Sequence, residues 1–249
     1  MTAGGWLRAV ILACGVLLAA GCSAHDHAGA AADASAAPGA STATASAPSS
    51  AAAAAFTDGE QYVTLKRPAG EPAPTGPLEV IEVFSYGCPH CAEFAPYMDK
   101  LRTELPPGTA IGYKPAMFEQ SWVPYAQAFY AARQLGVLDQ THDALFKAML
   151  EHYPLNSLDD LAAFYARHGV DQQKFLAAAT GAETTREMAA DQQIETGWGI
   201  FATPTLVVGR RASAAKDAPF VALMRSNNIE SYEQLQQVGL WMARHAAQG

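Results

Sequence analysis

Two cysteines, Cys88 and Cys91, are the side chains in this sequence whose type and spacing best suit chemistry. A strand-like run, Leu78–Phe84, precedes them, and a helix-like run begins at Pro89. Cys88 is therefore expected at a helix N-terminus, where unpaired N–H groups and the helix dipole stabilise a thiolate. Cys91 would follow within one turn, close enough to form or open a disulfide with Cys88. The spacing predicts thiol–disulfide exchange.

The dipeptide between the cysteines, Pro89-His90, is expected to tune the redox pair. Pro89 suits the first helical position because it has no N–H group to leave unpaired. His90, as a cation or as a hydrogen-bond donor, would further stabilise the Cys88 thiolate. Surroundings that stabilise the thiolate and not the disulfide make the disulfide form a stronger oxidant.

A cysteine pair has three other common uses in proteins. A disulfide between Cys88 and Cys91 would constrain almost no chain entropy, which argues against a purely stabilising role. A four-ligand zinc site would need a second cysteine pair, and the sequence after Cys22 contains none. A Cu(I)-binding chaperone, using these two cysteines with or without His90, stays open because thiolates suit Cu(I). For thiol exchange, no metal and no other cofactor is expected.

The elements around the cysteines predict an α/β fold with a helical insertion. Apolar residues fall on both faces of Leu78–Phe84, which is typical of a central strand covered on both sides. The first predicted elements are a short strand at Tyr62–Leu65, the strand Leu78–Phe84, a helix at Pro89–Glu104 and an extended piece at Ala110–Lys114. Helices follow between Ser121 and Trp198, with a capping box at Ser157 and Asp160 and C-caps at Gly136 and Gly169. The last predicted elements are a strand at Thr205–Val208 with a turn at Gly209-Arg210, a further strand, and an amphipathic helix carrying Ile229, Tyr232, Leu235, Val238 and Trp241.

Glu82 is the candidate acid–base residue. It lies six residues before Cys88 and shares strand parity with Val80 and Phe84, so we expect it to be buried beneath the cysteines. Burial would raise the pKa of its carboxyl group and allow it to accept the proton of Cys91. The alternative is an exposed residue on an edge strand.

The N-terminal region predicts export and attachment to a membrane. Residues 1–21 have one positive side chain followed by a short apolar run, which is typical of a signal peptide and too short to span a bilayer. The run ends in Leu-Ala-Ala-Gly before Cys22 and resembles a bacterial lipobox, which would place a lipid on Cys22. A plain secretory signal is the alternative. Cys14 would be removed with the signal.

The segment from Cys22 to residue 55 is predicted to be a disordered linker, because it contains no Val, Ile, Leu, Met, Phe, Trp or Tyr to bury. The folded domain is expected to be residues 56–249. Sixteen Lys and Arg against 24 Asp and Glu give the chain a net charge of -8, which argues against nucleic acid as a partner.

The domain resembles the DsbA family of periplasmic thiol oxidases. The resemblance rests on Asp58-Gly-Glu-Gln-Tyr62, on the Cys-Pro-His-Cys sequence after Val83-Phe-Ser85, and on Ala202-Thr-Pro204 before a strand. It implies a thioredoxin fold with a helical domain inserted at about residues 119–198. It further implies that Cys88 is the nucleophile, Cys91 the resolving thiol and Pro204 a cis-proline facing them, with the Thr203 backbone binding an extended substrate.

The resemblance also implies the function and the partners. The protein would donate its disulfide to reduced or unfolded exported proteins and be recharged by a DsbB-like, quinone-linked membrane protein. Thr203 stands where the enterobacterial branch has an aliphatic residue, and threonine there also occurs in disulfide reductases and isomerases, so the reverse direction remains an alternative. The expected location is the periplasm, and Ser23 after Cys22 favours the outer membrane by lipoprotein sorting rules.

Overall fold

The computed structural model describes residues 56–65, 76–210, 221–224 and 228–248. The predicted signal peptide, the lipidation site Cys22 and the linker to residue 55 lie outside the described residues. The described part is built from a mixed β-sheet and α-helices, as the sequence predicts.

The described strands form one sheet in the order β1-β5-β4-β2-β3. They are β1 Val63–Thr64, β2 Leu78–Phe84, β3 Ala110–Pro115, β4 Thr205–Arg210 and β5 Val221–Met224. Strand β2 pairs parallel with β3 and antiparallel with β4, and every one of its residues is buried. Its predicted central position is therefore confirmed, and the two cysteines come shortly after this fully buried strand.

The described α-helices are α1 Pro89–Glu104, α2 Val123–Gln134, α3 Leu138–Leu150, α4 Leu158–Arg167, α5 Gln172–Ala179, α6 Ala182–Gly197 and α7 Tyr232–Gln248. Helices α2–α6 come between β3 and β4 and form the predicted helical block. Helices α1 and α7 pack on each other, with Tyr232 bonded to Glu93 and Gln236 to Glu104. The later residue of α7 contacts the later residue of α1, so the two helices run in the same direction.

The helix ends follow local sequence signals. The Ser157 hydroxyl accepts a hydrogen bond from the backbone N–H of Asp160 at 3.1 Å, and it donates to the Asp160 carboxylate at 2.8 Å. Gly136 and Gly169 have φ values of 70° and 84°, in the left-handed region that glycine enters without strain. The predicted capping box and both C-caps are confirmed.

Two local predictions were wrong. Gly209 and Arg210 continue β4 and form no turn, because both pair with the start of β2 across the sheet. Ile229 was expected on the final helix, but α7 begins at Tyr232 and Ile229 lies before it, buried in the same apolar core.

The first described residues of the domain pack on the second half of α7. The ring centroid of Trp241 lies 5.8 Å from that of Phe56 and 5.6 Å from that of Tyr62. The chain therefore enters the domain beside the later turns of α7, whereas the helix start at Tyr232 lies beside the first turn of α1.

Candidate active site

Cys88 is the N-cap residue of α1, and Pro89 occupies the first helical position as predicted. The backbone N–H of Cys91 bonds to the carbonyl of Cys88 at 3.1 Å and so closes the first turn around the pair. Both residues are free thiols, with exposed fractions of 5% and 0%. Cys88 is therefore the more accessible residue of the pair.

The pKa values of the two thiols are shifted in opposite directions. A hydrogen bond from the Cys91 side chain lowers the pKa of Cys88 to about 6, although burial acts in the opposite direction. Hydrogen bonds with the Thr203 side chain and with the backbone N–H groups of Cys91 and His90 lower it further. Burial raises the pKa of Cys91 well above 9.0, and the negative charges of Glu82 and Cys88 raise it further. At neutral pH, Cys88 is thus a thiolate while Cys91 remains a thiol that donates to it.

The loop between α6 and β4 brings Thr203 and Pro204 to the cysteines. The peptide bond between them is cis, as the family resemblance implies. The thiol form of Cys88 donates a hydrogen bond to the Thr203 carbonyl, with 3.6 Å between the sulfur and the oxygen. The Thr205 hydroxyl holds the loop by donating to the Ala202 carbonyl at 2.8 Å. Residues 115 positions apart in the chain therefore share one site.

Glu82 lies beneath the cysteines with an exposed fraction of 1%, so the expected burial is observed. Its Oε1 atom has no hydrogen-bond partner among the described residues. Burial raises the pKa of this carboxyl well above 4.5, and the charges of Cys88 and Asp143 add to the effect. Burial thus favours the protonated form of the Glu82 carboxyl, and its part in proton transfer remains a prediction.

The imidazole of His90 contacts the C-terminal helix. Its Nδ1 atom lies 2.7 Å from the hydroxyl oxygen of Tyr232 and 3.6 Å from Oε2 of Glu93. The backbone N–H of His90, and not a contact of its ring, is among the groups that lower the pKa of Cys88. Sequence reasoning missed Tyr232 and Glu93, because no local pattern shows that α7 starts beside α1.

Sequence reasoning also missed a polar cluster next to Glu82, which extends from the buried Tyr86 and His142 to the exposed Arg102. The Tyr86 hydroxyl lies 2.7 Å from Nδ1 of His142, and Arg102 donates to the Tyr113 hydroxyl at 2.6 Å. Tyr113 is the cross-strand neighbour of Glu82 on β3. Burial lowers the pKa of His142 to about 3, so this imidazole is neutral. The helical spacing of His142 with Leu145 and Phe146 was the one available signal.

Aromatic side chains border the site. Phe201, two residues before Thr203, has an exposed fraction of 74%. Trp122 packs so closely against Gly87 that a Cβ atom there would lie 2.8 Å from its ring. Phe118 is exposed and lies with its ring centroid 6.1 Å from that of Trp122. An apolar border of this kind suits contact with unfolded chains.

In residues 56–65, 76–210, 221–224 and 228–248, no group of three or more His, Cys, Asp or Glu side chains could hold a metal ion. None of the helices in these ranges is both long enough and apolar enough to cross a membrane.

Known proteins are similar to this chain in fold and in sequence. The family model of the DSBA-like thioredoxin domain matches residues 79–227. The thiol:disulfide interchange protein DsbA of Pseudomonas aeruginosa is 34% identical over 154 residues, which are 61% of this chain and 72% of that protein. The DsbA of Burkholderia cepacia is 34% identical over 160 residues, 62% of this chain and 74% of that protein. The crystal structure of the oxidoreductase DsbA from Xylella fastidiosa matches with a TM-score of 0.66 and 28% identity, over 78% of this chain and 99% of that one.

Proposed function

This chain belongs to the family of DSBA-like thioredoxin domains and is a thiol:disulfide oxidoreductase, and on that premise we propose that Cys88 is its nucleophilic sulfur and Cys91 its resolving sulfur. The opposite pKa shifts of the two thiols, on either side of neutral pH, support this proposal above all. A sulfur that is stable as a thiolate is the better leaving group, and Cys88, unlike the fully buried Cys91, retains some exposure to an incoming substrate thiolate.

Disulfide donation starts from the oxidised Cys88–Cys91 pair. A substrate thiolate attacks Sγ of Cys88, the bond to Cys91 breaks, and Cys91 leaves with the electron pair. Because Cys91 binds a proton strongly, it is protonated, and we assign the transfer to the buried carboxyl of Glu82. In the reverse reaction, Glu82 takes the same proton from Cys91.

The second step releases the product. A second substrate thiolate attacks the substrate sulfur of the mixed disulfide, and Cys88 leaves as a thiolate. The substrate dithiol loses two electrons and becomes a disulfide, and the enzyme disulfide gains them and becomes the reduced pair. The low pKa of Cys88 favours this direction, because the leaving group needs no proton at neutral pH.

The substrates are reduced or unfolded exported proteins. The Thr203 backbone beside Cys88 can pair with an extended chain, and the exposed ring of Phe201 can contact its apolar side chains. Main-chain recognition of this kind serves many sequences. His90, Thr203 and Pro204 complete the proposed site around the two sulfurs.

The proposed setting is the periplasm, with the signal peptide of residues 1–21 removed and a lipid on Cys22. A DsbB-like, quinone-linked membrane protein would restore the disulfide. Growing cells with a radioactive fatty acid should label the wild-type protein and not the Cys22→Ser variant. Equal labelling of both, or labelling of neither, contradicts the anchor.

The function itself is tested with a reduced, unfolded protein that needs disulfides for activity. The oxidised enzyme should restore that activity in stoichiometric amounts. Mixed with a substrate protein that already carries a disulfide, the reduced Cys91→Ala variant should accumulate the mixed disulfide through attack by Cys88, whereas the matched Cys88→Ala variant should form none. A strongly reducing potential for the pair, with no net oxidation of the substrate, would favour a reductase or an isomerase.

A binding measurement distinguishes a Cu(I) chaperone from a thiol:disulfide oxidoreductase. Reduced protein is mixed with Cu(I) and a chromogenic competitor of moderate affinity. Retention of the metal by wild type, with loss in the Cys88→Ala variant, would support that function. Transfer of all the metal to the competitor would eliminate it.

A further inference from the structure

A chain of three polar side chains links the active-site helix to the C-terminal helix. Tyr232 donates its hydroxyl hydrogen to Oε2 of Glu93, at 2.7 Å between the oxygens. Nδ1 of His90 lies 2.7 Å from the same hydroxyl oxygen. A tyrosine hydroxyl has a single hydrogen, and here the carboxylate receives it. The oxygen must therefore accept from His90, so Nδ1 of the imidazole carries a hydrogen.

We infer that Tyr232 and Glu93 are positioning residues, which hold the His90 imidazole in one orientation with its hydrogen on Nδ1. The inference rests on the proposed role of His90 beside Cys88 and adds how that role is controlled. A histidine whose first nitrogen is held by a partner has a defined tautomer and ring orientation.

The surroundings of the chain support a fixed geometry. The Tyr232 ring packs against Phe94 and Tyr97 of α1, with centroid distances of 6.0 Å to each. Glu93 is on the same face of α1 as His90, three residues further along, and its carboxylate lies 3.6 Å from Nδ1. The tyrosine is thus held by apolar contacts, while its hydroxyl reaches the two polar side chains.

The arrangement has a consequence for Cys88. The carboxylate of Glu93, 3.6 Å from Nδ1, would offset the positive charge of the imidazole in its cationic form. The imidazolium can then remain in the first turn of α1, where it favours the thiolate of Cys88. Loss of the Tyr232 hydroxyl frees the ring to rotate and weakens this effect.

The tautomer is tested first, in the unmutated protein. Nitrogen chemical shifts of the neutral His90 imidazole, measured in alkaline solution, should show the hydrogen on Nδ1. In the Tyr232→Phe variant the pattern should move toward the mixture of tautomers found in free histidine. Hydrogen on Nε2 in wild type, or an unchanged pattern in the variant, overturns the inference. This measurement needs no catalytic activity, so it separates failure of the inference from failure of the proposed function.

The effect on Cys88 is tested by thiolate absorbance. Tyr232→Phe should raise the pKa of Cys88 by about 0.3–0.7 unit, the size expected for one exposed charge contact. Tyr97→Phe, the same substitution in the adjoining ring, is the matched control and should leave that pKa in place. In a His90→Asn background, Tyr232→Phe should have no further effect. A shift that persists in that background shows that Tyr232 does not act through His90 and overturns the inference.

Discussion

The pH dependence of the redox potential is the sharpest test of the site. With the pKa of Cys88 at about 6, reduction takes up two protons for two electrons below that pH and one proton above it. The potential should therefore fall by about 59 mV per pH unit below pH 6 and by about 30 mV per unit above it. The raised pKa of Cys91 keeps its proton bound over the whole range, so no second change of slope is expected below pH 9.

The size of the effect follows from the same shift. A pair identical except for a Cys88 pKa of 9.0 would be almost fully protonated at pH 7, whereas here about nine-tenths of Cys88 is ionised. Ionisation then favours the reduced form by about tenfold, which corresponds to a potential about 30 mV more oxidising. At pH 9 the factor grows to about 500 and the difference to about 80 mV.

The assay equilibrates the protein in glutathione buffers from pH 5 to pH 9 and follows the fluorescence of Trp122, which packs beside Gly87. Thiolate absorbance at each pH gives the pKa of Cys88 independently. A slope that stays near 59 mV per unit from pH 6 to pH 8, or a Cys88 that titrates near 9, would refute the reasoning. Cys91→Ala removes the donor and should raise the pKa of Cys88, whereas Cys91→Ser retains a donor and should keep it low.

The remaining predictions concern stability. Burial and the charge of Asp191 raise the pKa of Glu195 from 4.5 to about 8, so the folded state holds a proton that the unfolded state has lost. Wild type should therefore lose unfolding free energy as the pH rises from about 5 to about 8, by at most about 1.4 kcal/mol per pH unit, and Glu195→Gln should lose less in urea titrations across that range. An equal pH dependence in both proteins would contradict this. Gly239→Ala should cost about 1 kcal/mol or more in the same titrations, because its Cβ would lie 2.7 Å from the buried Leu206 side chain. Gly197→Ala, in the last turn of α6 with nothing within 4 Å of the added atom, should gain about 0.5–1 kcal/mol, and a loss there would show that α6 ends differently.

Local signals in the sequence predicted much of the fold. The strand Leu78–Phe84, the helix start at Pro89 and the capping box at Ser157 depend on residues that are near neighbours in the chain, so their patterns suffice. The end of β4 was missed because pairing with β2, a long-range contact, decides it.

The site was predicted unevenly for the same reason. The positions of the two cysteines and the burial of Glu82 follow from the strand and helix that carry them. The bond from His90 to Tyr232 joins residues 142 positions apart, and it exists only because α1 and α7 run side by side. Thr203 and Pro204 are far from the cysteines in the chain, so only the family resemblance predicted that they belong to the site.

The packing of Phe56 and Tyr62 on Trp241 fixes the point at which the N-terminal segment joins the domain. Trp241 is nine residues after Tyr232, about 13 Å further along α7, so the chain joins the domain at a distance from the sulfurs. An attachment through the segment before Phe56 would therefore leave the two thiols uncovered.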